Sequence, residues 1–303
     1  MTGGSPLPVS VVIPAYNRAD LLRRALESVG AQRPRPPAEV IVVDDCSSDG
    51  TGQVAAELGA RVIRHERNRG EGAARNTGVE AASHEWVALL DSDDEWLPHH
   101  LDTLWPLRES HVLVAGSALR RNEDGSGDRF HGTPTRVPRT LRSPLDLVYP
   151  SNLIPASASM IKRDAILAVG GYREGMHQAA DFDLYLRVLE RGSGMIAPEV
   201  SAIYHVHDGQ VSRDRAAMHL SARRVIESYA DRPWWSARKL QRRLGVQAWD
   251  ELRQAAWDGQ GRLAVDRACW IARHPQRTAG VVGIWGVRLR ERRRAAAIGG
   301  GER

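Results

Sequence analysis

The sequence predicts an α/β protein: a mostly parallel sheet flanked by helices, followed by an α-helical C-terminal extension. Three observations carry that prediction. Between residues 9 and 91, β-branched runs alternate with segments of helical period, and such alternation implies right-handed crossovers and parallel strand pairing. The apolar run Val87-Ala88-Leu89-Leu90 ends abruptly in Asp91, Asp93 and Asp94, as a buried strand does where an open α/β sheet places its ligands. Beyond residue 214, strand patterns disappear and helix-forming residues dominate.

Val9-Ser10-Val11-Val12-Ile13 is largely β-branched and stops at Pro14, which defines a first strand. Leu21, Leu22, Ala25, Leu26 and Val29 recur at helical spacing, so residues 19–31 form a helix, ended by Pro34, Pro36 and Pro37. Glu39-Val40-Ile41-Val42-Val43 is a second buried strand running into the polar turn Asp44-Asp45-Cys46-Ser47-Ser48-Asp49-Gly50. A helix over 51–59, a strand over 61–64, a helix over 71–82 and a strand over 85–91 follow, then a helix over 98–109 and a strand over 111–115. Residues 121–139, rich in Gly, Pro, Arg and Asp, read as a mobile loop over the site or a segment that orders with substrate. A strand over 156–161, a short helix over 163–169 closed by Gly170-Gly171, and a strand over 201–207 complete the α/β part.

In the extension, helices are expected over 214–230, 236–243, 246–257, 260–273 and 277–295. Trp234, Trp235, Trp249, Trp257, Trp270 and Trp285 are expected in its core, with an acceptor platform as the other reading. The domain boundaries read as a disordered N-terminus over 1–7, an α/β domain over 8–213 and a helical extension with a basic tail over 214–303.

The 303 residues carry a formal charge of +5, but residues 281–303 hold six arginines against two glutamates, so four of those charges lie in the tail. The main body is therefore no basic nucleic-acid platform, and no nucleic-acid partner is expected. Cys46 and Cys269 match no metal spacing and read as free thiols in a reducing compartment. The N-terminus lacks a signal-peptide pattern and no apolar run approaches the ~20 residues of a membrane span, so a cytoplasmic location is expected. Two readings of the tail stay open. Val281, Val282, Ile284, Trp285, Val287 and Leu289 either pack on the extension or lie peripherally on an anionic membrane surface.

Three carboxylates crowded at a strand end repel one another unless a cation sits among them, and a hard divalent ion that also holds a diphosphate would satisfy them. A solvated acidic turn is the other reading. Gly70-Glu71-Gly72 opens a helix, but Arg75 stands where a dinucleotide fingerprint needs its third glycine.

Taken together, Val-Ser-Val-Val-Ile-Pro-Ala-Tyr-Asn-Arg (9–18), Val-Asp-Asp-Cys-Ser-Ser-Asp-Gly-Thr (43–51), Asn-Arg-Gly-Glu-Gly-Ala-Ala-Arg-Asn-Thr-Gly (68–78) and Leu-Asp-Ser-Asp-Asp (90–94) resemble, in order and spacing, the family 2 glycosyltransferases of the GT-A fold. The resemblance covers about residues 8–210. It implies that Pro14, Ala15 and Tyr16 border the nucleotide and that Asp45 hydrogen-bonds a uracil or thymine base. It implies further that Asp91 faces the ribose, with Ser92 beside it, and that Asp93 binds Mg²⁺ or Mn²⁺ on the diphosphate. A carboxylate can accept the imide N–H of such a base; a turn or capping role for Asp45 is the alternative. Arg75 and Asn76 read as ties between helix and sheet.

Gln178-Ala179-Ala180-Asp181-Phe182-Asp183-Leu184 resembles the family's Glu-Asp-x-Asp-Leu helix, with Ala180 where glutamate is usual. Asp181 matches the general base. It lies at a helix start, where the dipole favours the ionised form, and the competing reading is a helix-start role alone. Asp183 reads as a first-turn charge. His205 occupies a place often held by arginine, and His207 either reaches the metal or is a plain hydrogen-bonded residue.

The implied reaction is a single displacement with inversion, in which an acceptor hydroxyl attacks the anomeric carbon of a UDP- or dTDP-linked sugar. The acceptor would be a saccharide, a lipid-linked intermediate or a secondary metabolite. A sugar-1-phosphate nucleotidylyltransferase would need a glycine-rich basic loop where Pro14-Ala15-Tyr16-Asn17 stands. An aspartyl-phosphate phosphatase would place Asp-x-Asp on its first strand. A non-catalytic sugar-nucleotide-binding protein is disfavoured by the presence of Asp45, Asp91, Asp93 and Asp181 together.

Overall fold

The structure, a computed structural model, describes residues 5–122, 129–131, 137–148, 154–207, 210, 214–257, 259 and 261–275. Strand β1 (Leu7–Ala15) is the axis of the first half. Helix α1 (Ala19–Gly30), β2 (Pro37–Asp44), α2 (Thr51–Glu57), β3 (Arg61–Arg64), α3 (Glu71–Ala81) and β4 (Trp86–Leu89) follow. β1 pairs in parallel with β2 and β4, and β2 in parallel with β3. The uninterrupted apolar runs fit this placement, because strands covered on both faces have no polar side: Val11, Val12, Ile13, Val42, Val43, Val87 and Leu89 are all fully buried.

Helix α1 buries Leu22, Ala25, Leu26 and Val29, the stripe its spacing predicts. Burial of each large side chain stabilises by about 1.5–3 kcal/mol. Asp49 braces the two loops at the sheet's carboxyl edge: Oδ2 accepts from Ala19 N at the start of α1, and Oδ1 from Thr51 N at the start of α2. Helix α3 lies against β1 at Gly78, where a Cβ would sit 2.3 Å from Val12 Cγ1, so only glycine permits that approach.

The second half is β5 (Glu95–Trp96), α4 (His100–Leu104), β6 (Leu113–Asn122), β7 (Arg129–His131), β8 (Arg139–Leu141), α5 (Pro144–Val148), β9 (Ser159–Lys162), α6 (Arg163–Ala168), α7 (Ala180–Leu189) and β10 (Gly194–Val206). The sheet runs β3-β2-β1-β4-β9-β6-β10-β5, with β7 on β6 and β8 on β10. β9 is antiparallel to both β4 and β6, and β6 and β10 are parallel. Parallel pairing thus holds for β1–β4, and the second half is mixed.

Several local expectations change. The helix expected over 98–109 tightens into a 3₁₀ turn at Trp105–Arg108, where Pro106 removes a donor. The expected strand over 156–161 begins as a 3₁₀ turn at Ala156–Ala158. The described parts of 121–139 include β7 and the start of β8, so that stretch is not wholly loop; residues 123–128 and 132–136 lie outside the described residues. β5 was not foreseen: two residues are too short to show a period.

By packing, the chain divides into two units: Met1–Ser143 with Leu153–His207, and Pro144–Asn152 with Asp208–Arg303. The second contains α5, α8 (Arg215–Ser228), α9 (Ala237–Trp257) and α10 (Gly261–Arg273). The two helices expected over 236–243 and 246–257 are one continuous α9 through Gly245. The described tryptophan side chains do not form its core: Trp249 is exposed and Trp234, Trp235 and Trp270 are half-buried. Buried Val225, Ile226, Tyr229, Leu240, Leu244, Val246 and Ala248 fill that role with Leu147 and Val148. The ring of Trp270 instead lies 4.9 Å from the Arg223 guanidinium. The side chain of Trp257, all of Trp285 and the expected helix over 277–295 lie outside the described residues. Among the described residues no helix is long and apolar enough to cross a membrane.

Candidate active site

The carboxylates after β4 have separate environments. Asp94 is buried; its Oδ2 accepts from Ser157 Oγ at 2.5 Å and its Oδ1 from His205 N at 3.1 Å. Burial, reinforced by Asp93 and Asp91, holds its carboxyl well above the usual range. It is an internal tie between the loop after β4 and β10. Asp93 is partly accessible, with Oδ2 2.8 Å from His207 Nε2. Its backbone carbonyl accepts from Arg24 Nη2 at 3.1 Å. Ser92 between them is buried. The ring of His205, the residue in the arginine-like place, pairs with Glu95 at 2.6 Å.

Asp91 turns toward α3. Arg75, 3 % exposed, projects there from the second turn of that helix. Its Nη2 reaches Asp91 Oδ1 at 2.6 Å and Glu71 Oε1 at 2.5 Å, and its Nη1 reaches Asp181 Oδ1 at 3.1 Å. The Tyr172 ring lies 5.1 Å from the same guanidinium. Charge-assisted contacts of this kind fix geometry as well as energy. Arg75 is therefore the joint between the β4 carboxylates and the start of α7, a role its reading as a helix–sheet tie does not include. Asn76 ties α3 to the loop after α6 rather than to the sheet: its side chain accepts from Tyr172 N and donates to Tyr172 O, at 2.7 and 2.8 Å.

Asp181 opens α7 just after Ala179, which adopts a left-handed φ of 58°. The expectation of a lowered pKa from the helix dipole is overturned. Burial raises Asp181 above the ordinary aspartate value, Arg75 opposes that rise and Asp91 adds to it. The side chain nevertheless keeps an opening to solvent, at 29 %. Asp183 does lie in the first turn of α7, and it is in addition buried and paired with Arg187 Nη2 at 2.7 Å, while Arg187 Nη1 donates to the carbonyls of Val169 and Gly171.

At the edge of β1, Pro14 and Ala15 are buried and contribute backbone, whereas Tyr16 is 48 % exposed. Asp45 N donates to Ala15 O at 2.9 Å. The Asp45 carboxylate is buried and accepts from Arg69 N (2.9 Å), Gly70 N (2.7 Å) and His65 Nδ1 (2.6 Å).

The family resemblance implies a divalent cation. Among the described residues no group of three or more His, Cys, Asp or Glu side chains is arranged to hold one. The Asp93–His207 pair still fits, because Mg²⁺ and Mn²⁺ are commonly held by one or two protein groups with substrate phosphates and water completing the shell. Carboxylate with imidazole suits Mn²⁺.

The structure thus brings Asp91 and Asp181 together through Arg75, and Asp93 to His207. Three residues escaped sequence reasoning. The signal for Glu71 and Arg75 was their i, i+4 spacing at a helix start. His65 gave none, since one histidine after a strand is unremarkable as a pattern.

The half-parallel, half-mixed sheet flanked by helices is similar to that of the GT-A glycosyltransferases. The chain matches the family description "Glycosyl transferase family 2" over residues 10–169 and belongs to that family. It is 32 % identical over 232 residues to the Succinoglycan biosynthesis protein ExoO of Rhizobium meliloti, covering 71 % of this chain and 65 % of that one. It is 31 % identical to the Pre-mycofactocin glycosyltransferase of Mycobacterium tuberculosis, covering 69 % of this chain and 45 % of that one. The chain therefore spans between about half and two thirds of these relatives. Among solved structures, S. aureus TarS 1–349 with UDP-GlcNAc superposes with a TM-score of 0.61 at 19 % identity, covering 79 % of this chain and 72 % of that one. The mannosyltransferase PcManGT from Pyrobaculum calidifontis with GDP-Man and Mn²⁺ gives 0.59 at 18 %, covering 94 % and 88 %. At those identities the likeness concerns the fold.

Proposed function

We propose that this chain transfers a sugar from a nucleoside-diphosphate sugar, uridine- or thymidine-linked, to an acceptor hydroxyl by single displacement with inversion. The observation that carries the reading is the Arg75 fork, which holds Asp91 and Asp181 on one guanidinium and so sets a donor-side and a base-side carboxylate around one space. Asp181 receives the proton of the attacking hydroxyl; its raised pKa makes it a stronger base than a free aspartate. Asp91 faces the ribose, and Tyr16 with Asp45 borders the base. Asp93 and His207 are the groups that would hold Mg²⁺ or Mn²⁺, which when bound offsets the charge of the leaving diphosphate. The acceptor in this reading is a saccharide, a lipid-linked intermediate or a secondary metabolite; relatives named for succinoglycan biosynthesis and as a pre-mycofactocin glycosyltransferase favour the first and last of these. Action in the cytoplasm, with the basic C-terminal stretch against an anionic membrane, belongs to the same proposal.

The test is thermal stabilisation and turnover across a panel of nucleotide sugars, with and without Mn²⁺. Binding to the folded state raises the midpoint in proportion to ln(1 + [L]/Kd). A donor that stabilises only with Mn²⁺ and is turned over with an inverted anomeric centre is the expected result. Retention of configuration, or no response to any uridine or thymidine sugar, removes the reading.

A further inference from the structure

The carboxylate expected to read the nucleotide base does not stand alone. Of the four lone-pair positions of the Asp45 carboxylate, three are filled: Oδ1 by His65 Nδ1 and Arg69 N, and Oδ2 by Gly70 N. One position on Oδ2 is left. His65 is itself fixed at both ring nitrogens, with Nε2 2.9 Å from Thr77 Oγ1 on α3. It is 8 % exposed, and its backbone N–H donates to Asp44 O at 2.9 Å. Because a carboxylate bearing three N–H donors only accepts, His65 Nδ1 carries the hydrogen. In the neutral imidazole the Thr77 hydroxyl donates to Nε2, which favours the Nδ1–H tautomer.

We infer that His65 is a positioning residue for base recognition: by donating from Nδ1 it completes, with the amides of Arg69 and Gly70, the set of donors that aims the Asp45 carboxylate and leaves Oδ2 with a lone pair for the ring N–H of a nucleobase. Without that donor, Oδ1 keeps only the amide of Arg69 and Oδ2 only that of Gly70, so the carboxylate is aimed less tightly. Thr77 acts one step further out, as the group that keeps hydrogen on Nδ1. The inference rests on the reading of Asp45 as the base-contacting carboxylate. The ligand class it selects is a nucleoside diphosphate whose base carries a ring N–H facing the carboxylate, as uracil, thymine and guanine do; cytosine offers a lone pair at that place.

The experiment measures calorimetric Kd for UDP, dTDP, GDP and CDP with Mn²⁺ on the full chain, together with the unfolding midpoint. Asn at position 65 keeps a nitrogen donor where Nδ1 lies; Gln keeps one only near Nε2. The tightest binder of wild type should be UDP, dTDP or GDP, with CDP weaker. His65→Ala and His65→Gln should weaken that binder about tenfold, with CDP changed less than threefold, and His65→Asn should recover most of the loss. Equal weakening in His65→Asn and His65→Ala, or equal loss for CDP, would mark a merely structural role and overturn the inference. Asp45→Asn separates the two levels. If it binds the best nucleotide as wild type does, the Asp45 reading fails and takes the inference with it. If it weakens binding while His65→Ala does not, the inference alone fails.

Discussion

Asp93 and Asp94 at the end of β4, and Asp181 and Asp183 at the start of α7, are two acidic pairs that look alike in sequence and differ in the fold. Each region offers one carboxylate to solvent and seals the other. Asp93 is partly open and meets a histidine, while Asp94 is shut against Ser157 and a backbone amide. Asp181 is open at its tip and held by Arg75, while Asp183 is shut against Arg187. The sealed members differ from each other as well. Asp183 has a full counter-charge at 2.7 Å. Asp94 accepts from a hydroxyl and a backbone amide, and burial first, with Asp93 and Asp91 beside it, pushes its carboxyl up. Accessibility, rather than the count of carboxylates, separates groups that can do chemistry from groups that hold the frame.

The comparison can be broken most severely at the open members. Asp93→Ala should abolish the Mn²⁺-dependent part of the stabilisation by UDP or dTDP in a thermal scan; an unchanged Mn²⁺ increment would take the metal assignment away. Asp181→Asn should lower kcat by ~10²–10⁴-fold while donor Kd and urea midpoint stay close to wild type. If donor binding is lost instead, Asp181 belongs to the nucleotide site.

The sealed members should respond in stability, and unequally. Asp183→Ala leaves the Arg187 cation buried without its partner and should cost about 3–5 kcal/mol in urea unfolding. Asp94→Asn mimics a protonated side chain in shape and should cost about 1 kcal/mol or less; a loss as large as that of Asp183→Ala would mean that Asp94 is ionised in the fold.

The pH dependence is a milder test. Because the folded-state pKa of Asp181 is raised, its basicity is lost as pH falls through a value above the ordinary aspartate range. The acidic limb of kcat should lie there and vanish in Asp181→Asn. The linked stability effect has the opposite sign: the folded chain binds that proton more tightly than the unfolded one, so this group's contribution to stability falls as pH rises through the same window. The smallest effect is expected from the tail. Full-length protein should float with anionic vesicles more than a chain ended at residue 276, and equal partitioning would remove the membrane proposal.

Much of this was legible beforehand because periodicity reports burial. The stripe of α1 and the all-apolar runs of β1, β2 and β4 can be read one residue at a time. The position of Asp181 at a helix start was legible too. What escaped depends on partners far along the chain. Arg75 meets Asp181 across 106 positions, and no local pattern shows that a guanidinium on α3 will meet the first turn of α7. The dipole argument for Asp181 failed for the same reason, since it counts only the helix to which the residue belongs. The first-turn place of Asp183 was legible, but its burial against Arg187 was not, because that pair can form equally well in solvent. Gly245 read as a break because a helix-interior glycine costs about 1 kcal/mol, a cost tertiary packing overrides. The tryptophans misled because large rings cover polar neighbours, as Trp270 does over Arg223, as readily as they fill cores.

The short helix α5 joins the helical unit although it lies between β8 and β9 in sequence. Leu147 and Val148 are buried in that unit, and Arg243 Nε donates to the Val148 carbonyl at 2.9 Å. The two units are consequently stitched rather than strung. A ribosome releases α5 long before the helices that shelter it, so its apolar side chains must wait for about a hundred later residues. A gene cut at residue 213 would strand them on the α/β unit, and a gene begun there would leave α9 with a hole. Exchanging the helical unit between relatives therefore needs two grafts, one of them only a few residues long.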